Sequence, residues 1–194
     1  MPDTHAQLDK RTFKKFADLI YDHVGIVLGE KKEALVSARL GKRMRSIGIN
    51  DYKEYYEFVK NDSTDAEIIE LLNVISTNVT HFYRESRHFE MLGPIVSEWE
   101  KRGQTRFRIW CAASSTGEEP YTIAITLKEA LENSRDTKIL ATDISTKVLN
   151  IAKAGLYETR HVEKIPRSLL TKYFKQREAA NPQSKSTKAA TMHE

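Results

Sequence analysis

Cysteine is almost missing from this chain: Cys111 is the single one in 194 residues. An internal disulfide is excluded, and a reducing, cytoplasmic setting is the expectation. No apolar run reaches the length of a membrane span, so direct membrane insertion is not expected. The N-terminus, Met-Pro-Asp-Thr-His, lacks the charged-then-apolar layout of a signal peptide. No Ser-His-Asp or Cys-His constellation stands out for nucleophilic catalysis. His81 and His88 lack metal-ligand spacing, so no metal is assigned. There is no internal repeat. From Gln176 onward Met192 is the only large apolar side chain, and a disordered tail over residues 176–194 is expected.

What is present is ordinary for a globular protein, with 40% hydrophobic and 30% charged residues. The net charge is +4, but six basic residues against one acid between Lys31 and Arg45 give +5 over that stretch alone. That concentration points to an acidic partner surface. Phe13, Phe16, Ala17, Ile20 and Val24 at helical spacing predict a helix over 9–24, stopped by Gly25. A second helix over 31–47 ends at Gly48. Its Val36, Leu40, Met44 and Ile47 share one face, and the basic residues fill the opposing arc. Asp51 is a candidate N-cap for a third helix, and Ile68 to Ile75 define a fourth. No strand pattern precedes residue 105, so residues 8–77 read as an all-helical bundle. Residues 78–88 read as a linker, and 89–175 as an α/β half-domain. Within it, Gly93-Pro94 is expected to kink or interrupt a helix running to about Lys101.

The stretch from Phe107 to Tyr121 carries the most information. Phe107 to Cys111 reads as a buried strand. Small residues from Ala112 to Thr116 follow, then Gly117 and a helix start with Pro120 in its first turn. This strand, turn and helix is the layout of a nucleotide-binding corner. Glu118 and Glu119 occupy the helix N-terminus, where they would repel a pyrophosphate and attract a cation or hydroxyl donors. The second strand, 138–142, ends beside Asp143. In dinucleotide folds an acid about 20 residues past the glycine turn binds ribose, and Asp143 comes slightly later. Asp143 could equally cap the next helix, for which Ser145 is also available. A ligand with a ribose, no phosphate and a positive charge suits both acids, and S-adenosylmethionine is such a ligand.

Several stretches, in order, resemble the chemotaxis receptor methyltransferases, the CheR family. They are Gly25-Ile-Val-Leu, Arg39-Leu-Gly-Lys-Arg-Met-Arg45, Ser76-Thr-Asn-Val-Thr-His-Phe-Tyr-Arg-Glu85, Ala113-Ser-Ser-Thr-Gly-Glu-Glu-Pro-Tyr121, Ala141-Thr-Asp-Ile-Ser145 and Ala152-Lys-Ala-Gly-Leu-Tyr157. The third and fourth are highly specific as a pair. The resemblance implies an all-helical bundle followed by a Rossmann-like S-adenosylmethionine-dependent methyltransferase domain, an α+α/β chain. It implies a protein-glutamate O-methyltransferase that forms glutamyl methyl esters on chemoreceptor cytoplasmic helices and releases S-adenosylhomocysteine. Cofactor contacts are then expected from Asn78, Thr80, Arg84, Glu118 and Asp143. Arg84 would be the catalytic residue, orienting the acceptor carboxylate. Receptor docking would fall to Arg39, Lys42, Arg43 and Arg45, with glutamate-rich receptor helices rather than nucleic acid as the partner.

In that family the sheet continues well past residue 175, and its later strands and a small β-subdomain are not legible in this sequence. The methyltransferase domain is therefore expected to be incomplete, and the chain alone weakly active or inactive. The alternative is a module that binds receptor and cofactor without turnover. A nicotinamide enzyme is disfavoured by Glu118 and Glu119 at the phosphate position.

Overall fold

Asp9 starts the first helix, α1 (Lys10–Val24), by accepting hydrogen bonds from the Thr12 backbone N–H (2.8 Å) and hydroxyl (2.9 Å). Gly25, at φ 70°, closes it with a left-handed cap. A 3₁₀ turn over Glu30–Lys32 leads into α2 (Glu33–Ile47), slightly later than the periodicity predicts. Asp51 caps α3 (Tyr52–Asn61) through the N–H groups of Lys53 and Glu54, and α4 (Ala66–Ile75) completes the bundle. Phe16, Ile20, Leu40, Met44, Tyr55 and Leu71 are fully shielded at its centre. Each such side chain contributes about 1.5–3 kcal/mol of burial.

These observations come from a computed structural model that describes residues 7–132, 136–177 and 189–192. The chain divides into two compact units, Met1–Thr77 and Asn78–Glu194. Among the described residues no helix is long and apolar enough to cross a membrane.

The second unit begins with the segment read as a linker, and that segment is not a free tether. Phe82 is fully buried in a cluster with Ile125, Tyr157, Val162, Ile165, Tyr173 and Phe174. Next comes α5 (Arg87–Lys101), which continues through Pro94, so of the expected kink or interruption the interruption does not occur. Gly93 faces Ala130 and Thr126 of α6 (Glu118–Ala130), and Val96 of α5 is buried in the core beside Ile123 and Leu127. Packing of this face against α6 offsets part of the hydrogen bond that proline removes. Strands β1 (Arg106–Ala112) and β2 (Asp136–Thr142) pair in parallel, from Arg106 opposite Asp136 to Ala112 opposite Thr142. One face buries Phe107 and Cys111 with Val96, Ile123, Leu127 and Leu131. On the other face Trp110 and Leu140 stand opposite each other, 68% and 61% exposed. Helix α7 (Thr146–Ala154) follows.

The rest departs from the sequence reading. After α7 come β3 (Leu156–Glu158), α8 (Thr159–Val162), α9 (Arg167–Tyr173), β4 (Phe174–Arg177) and β5 (Ala189–Met192). The three strands form an antiparallel sheet in the order β3-β5-β4. Gln176, Arg177 and residues 189–192, expected to be disordered, are thus in strands; residues 178–188 and 193–194 of that expectation lie outside the described residues. Ala-Ala-Thr-Met has no strand signature of its own. Main-chain pairing on both sides specifies β5, and such pairing is invisible to local sequence pattern.

Candidate functional site

The turn between β1 and α6 is built from left-handed residues. Ala113 (φ 65°), Ser115 (φ 48°) and Gly117 (φ 100°) all have positive φ, a costly conformation for alanine and serine. Gly117 is required twice over. Besides its φ, a Cβ there would lie 2.6 Å from the Tyr157 hydroxyl oxygen and 2.9 Å from the Ala152 Cβ. The turn is held by Ser114 N–H donating to the Thr142 carbonyl (2.8 Å), Gly117 N–H to the Ser114 carbonyl (3.0 Å) and the Tyr157 hydroxyl to the Thr116 carbonyl (2.7 Å). Tyr121 donates to the Ala152 carbonyl at 2.8 Å and so ties α6 to α7.

Asp143 meets this turn from the end of β2. Its two carboxylate oxygens accept the N–H groups of Ser115 (2.8 Å) and Ser145 (2.9 Å). Ser145, not Asp143, is the N-cap of α7. Glu118 is 5% exposed and accepts the Thr116 hydroxyl at 2.6 Å. Among the described residues no cation pairs with either acid. Neighbouring groups register the resulting field. Burial, and then the charges of Glu119 and Asp143, push the Cys111 thiol up to about 11. Burial, and then the charge of Glu118, push the Tyr157 hydroxyl well up. The side-chain oxygens of Ser114 and Ser115 are buried, with no hydrogen-bond partner among the described residues. Two uncompensated carboxylates beside two unused hydroxyls fit a ligand that brings donors and positive charge, as S-adenosylmethionine does.

The Asn78–Arg84 segment is tied to the same helix. Tyr83 N–H donates to the Thr122 hydroxyl (3.3 Å), which donates to the Glu118 carbonyl (2.6 Å). Arg84 is exposed and donates to the Val79 carbonyl at 2.8 Å, which closes a loop around Thr80. Asn78 and Thr80 are half-buried, and no hydrogen bond among the described residues joins either to Glu118 or Asp143. The fold thus brings Glu118 and Asp143 to one corner and anchors Asn78, Thr80 and Arg84 to α6 through Tyr83. The sequence reading took Ser114 and Ser115 only as small residues and missed Phe82 and Thr122. A groove of about 800 Å³ between α5, α6 and α9 includes Tyr83 but none of the corner residues.

Residues 11–76 match the family model described as CheR methyltransferase, all-alpha domain, and residues 78–191 match CheR methyltransferase, SAM binding domain. The chain belongs to the CheR methyltransferase family. The chemotaxis protein methyltransferase of Borreliella burgdorferi is 39% identical over 177 residues, covering 87% of this chain and 62% of that relative. The Salmonella typhimurium protein of the same name is 39% identical over 163 residues, covering 84% and 55%. A probable chemotaxis protein methyltransferase of Rhizobium etli is 41% identical over 161 residues, covering 80% and 60%. The chain spans 55% to 62% of the length of these CheR relatives.

In the CheR all-alpha domain the basic arc of α2 divides in two. Arg43 forms a bidentate pair with Glu67 of α4, Nε to Oε1 at 2.9 Å and Nη2 to Oε2 at 2.6 Å. The Tyr55 hydroxyl also donates to Glu67 Oε1 (2.7 Å). Burial, and then this bond, push the Tyr55 hydroxyl well up, and the bond to Glu67 raises Arg43 further. Arg39 donates to the carbonyls of Ile75 and Ser76 and to the Thr77 hydroxyl, and so satisfies the open C-terminus of α4. Arg39 and Arg43, both expected at the docking surface, thus also hold the helical unit together through their guanidinium groups. A helical wheel shows which face a residue occupies but not that a buried glutamate from α4 waits beside it. Lys42 and Arg45 are exposed, with no side-chain hydrogen bond or ion pair among the described residues, and Lys31 and Lys32 are exposed as well.

Proposed function

We propose that this chain binds S-adenosylmethionine at the Ser114–Glu118 corner and directs methyl transfer to glutamate side chains of chemoreceptor cytoplasmic helices, with glutamyl methyl ester and S-adenosylhomocysteine as products. The observation that carries this reading is the uncompensated Glu118 and Asp143 pair around two unpartnered serine hydroxyls. The relatives are named chemotaxis protein methyltransferases, which supports methyl transfer within chemotaxis; the receptor glutamates as acceptor and the cytoplasmic setting are part of this proposal. Asp143 keeps acceptor capacity beyond its two backbone bonds and would take the ribose hydroxyls. Glu118 would line the pocket, and Asn78 and Thr80 would add contacts from the segment anchored at Tyr83. When bound, S-adenosylmethionine supplies a methyl group on a positively charged sulfur. Arg84 has guanidinium N–H groups left over after its bond to Val79 and would orient the acceptor carboxylate with them. That carboxylate, with an ordinary pKa of about 4.3, is ionised at neutral pH and needs no general base. Alignment is therefore the main contribution of the protein. Lys42 and Arg45, with Lys31 and Lys32 nearby in sequence and the partly exposed Arg39 and Arg43 beside them, would meet the acidic receptor surface.

Calorimetric titration with S-adenosylhomocysteine tests the site. Asp143→Asn keeps one oxygen but removes the charge. It should weaken binding about 10- to 100-fold, the worth of a charge-assisted hydrogen bond. Unchanged affinity in a folded variant would overturn the assignment. A second reading, binding without turnover, is favoured by the uncovered face carrying Trp110 and Leu140, which leaves the strand pair open to water. A radiolabelled methyl-transfer assay on a receptor fragment separates the two.

A further inference from the structure

The stretch from Ala152 to Tyr157 carries part of the family resemblance, yet the proposed reaction uses none of it. β3 places Tyr157 in the Phe82 cluster at 2% exposure. Two parts of this side chain reach two parts of the candidate site. The hydroxyl donates to the Thr116 carbonyl at 2.7 Å, inside the turn that presents Ser114, Ser115 and Glu118. The ring meets Phe82 edge-on, with centroids 5.0 Å apart and planes at 79°. Phe82 is fully buried and lies midway between Thr80 and Arg84. Ala152 packs against the same face of Gly117 as the tyrosine hydroxyl, so the turn, the tyrosine and α7 meet at one point.

We propose that Tyr157 is a positioning residue that holds the two halves of the cofactor site in register, the glycine turn through its hydroxyl and the Asn78–Arg84 segment through its ring. The inference rests on the reading of this site as an S-adenosylmethionine pocket. Tyr157→Phe separates the two contacts. The ring still packs on Phe82, while the Thr116 carbonyl loses its donor and the turn loses its brace. Tyr157→Leu removes both.

The experiment has a ligand-free arm and a ligand arm, both on the whole chain. Without ligand, hydrogen–deuterium exchange is followed at the amides of Ser114, Ser115 and Gly117, which donate to Thr142, Asp143 and Ser114. Tyr157→Phe should speed exchange at these three and leave the Tyr83 and Arg84 amides unchanged; Tyr157→Leu should speed both groups. With ligand, calorimetry well below the unfolding midpoint should show S-adenosylhomocysteine affinity falling about tenfold in Tyr157→Phe, the worth of one buried hydrogen bond. A purely structural tyrosine would lower the unfolding midpoint and leave local exchange and affinity at wild-type values. That result, or faster exchange with unchanged affinity, overturns the inference and leaves the site intact. Absence of binding by the wild-type chain overturns the proposed pocket and this inference with it. Tyr157→Phe decides the matter even if Tyr157→Leu fails to fold.

Discussion

Replacing Arg43 by alanine should destabilise the helical unit itself rather than merely thin out a docking surface. Glu67 is 5% exposed, and Arg43 supplies both bonds that span its carboxylate. Without Arg43, Oε1 keeps the Tyr55 hydroxyl and Oε2 has no other partner among the described residues. Stranding one partner of a buried pair costs about 3–5 kcal/mol. The Arg43 side chain is 23% exposed, so water can reach part of the vacated space, and the lower end, about 3 kcal/mol, is expected. At roughly 0.05–0.15 kcal/mol per residue, a unit of this size has only about 4–11 kcal/mol in total. The loss is therefore a quarter or more of its stability. Urea unfolding has a built-in control, because both tryptophans, Trp99 and Trp110, lie in the second unit. The circular dichroism transition of Arg43→Ala should move to lower urea while the tryptophan fluorescence transition stays in place. The double variant Arg43→Met with Glu67→Met leaves no stranded charge and should recover most of the loss. A wild-type midpoint for Arg43→Ala, or a double variant no more stable than the single, would refute the reasoning.

Charge reversal at Lys42 and Arg45 should weaken binding to an acidic receptor fragment, mainly through a slower association rate and a shallower salt dependence, with no change in unfolding midpoint; equal association rates at low salt would count against the docking surface. Gly117→Ala combines positive-φ strain of about 1–2 kcal/mol with overpacking of about 1–3 kcal/mol against Tyr157 and Ala152, and should lower the tryptophan-monitored midpoint and abolish S-adenosylhomocysteine binding. A Gly117→Ala variant that is stable and still binds is the contrary result. The Cys111 thiol, pushed up to about 11, is almost wholly protonated at pH 8, so a disulfide reagent should label it slowly until urea opens the second unit. Rapid stoichiometric labelling in native buffer would contradict its burial.

Much of the fold was legible because its determinants are local. Asp9, Asp51 and Ser145 cap helices, and Gly25 and Gly48 end them, through bonds that span at most a few residues. The strand, turn and helix around Gly117 could be read for the same reason: the sharp turn demands small residues and a glycine within one short stretch. The candidate acids Glu118 and Asp143 followed from their places at the two strand ends. Helix continuity through Pro94 was not legible, because the contact that offsets the lost hydrogen bond is made by α6, residues away along the chain.

The sequence by itself therefore determined the helical first unit, the βαβα corner and the family to which the chain belongs. Tertiary structure alone decided which charged residues are free to act. Arg43 finds Glu67 across 24 residues, Arg39 finds the end of α4 across 36, and Tyr157 finds Thr116 across 41. It also decided that Phe82 is core rather than linker and that 189–192 form a strand. Periodicity tells which face a side chain occupies; what stands opposite that face depends on the path of the whole chain.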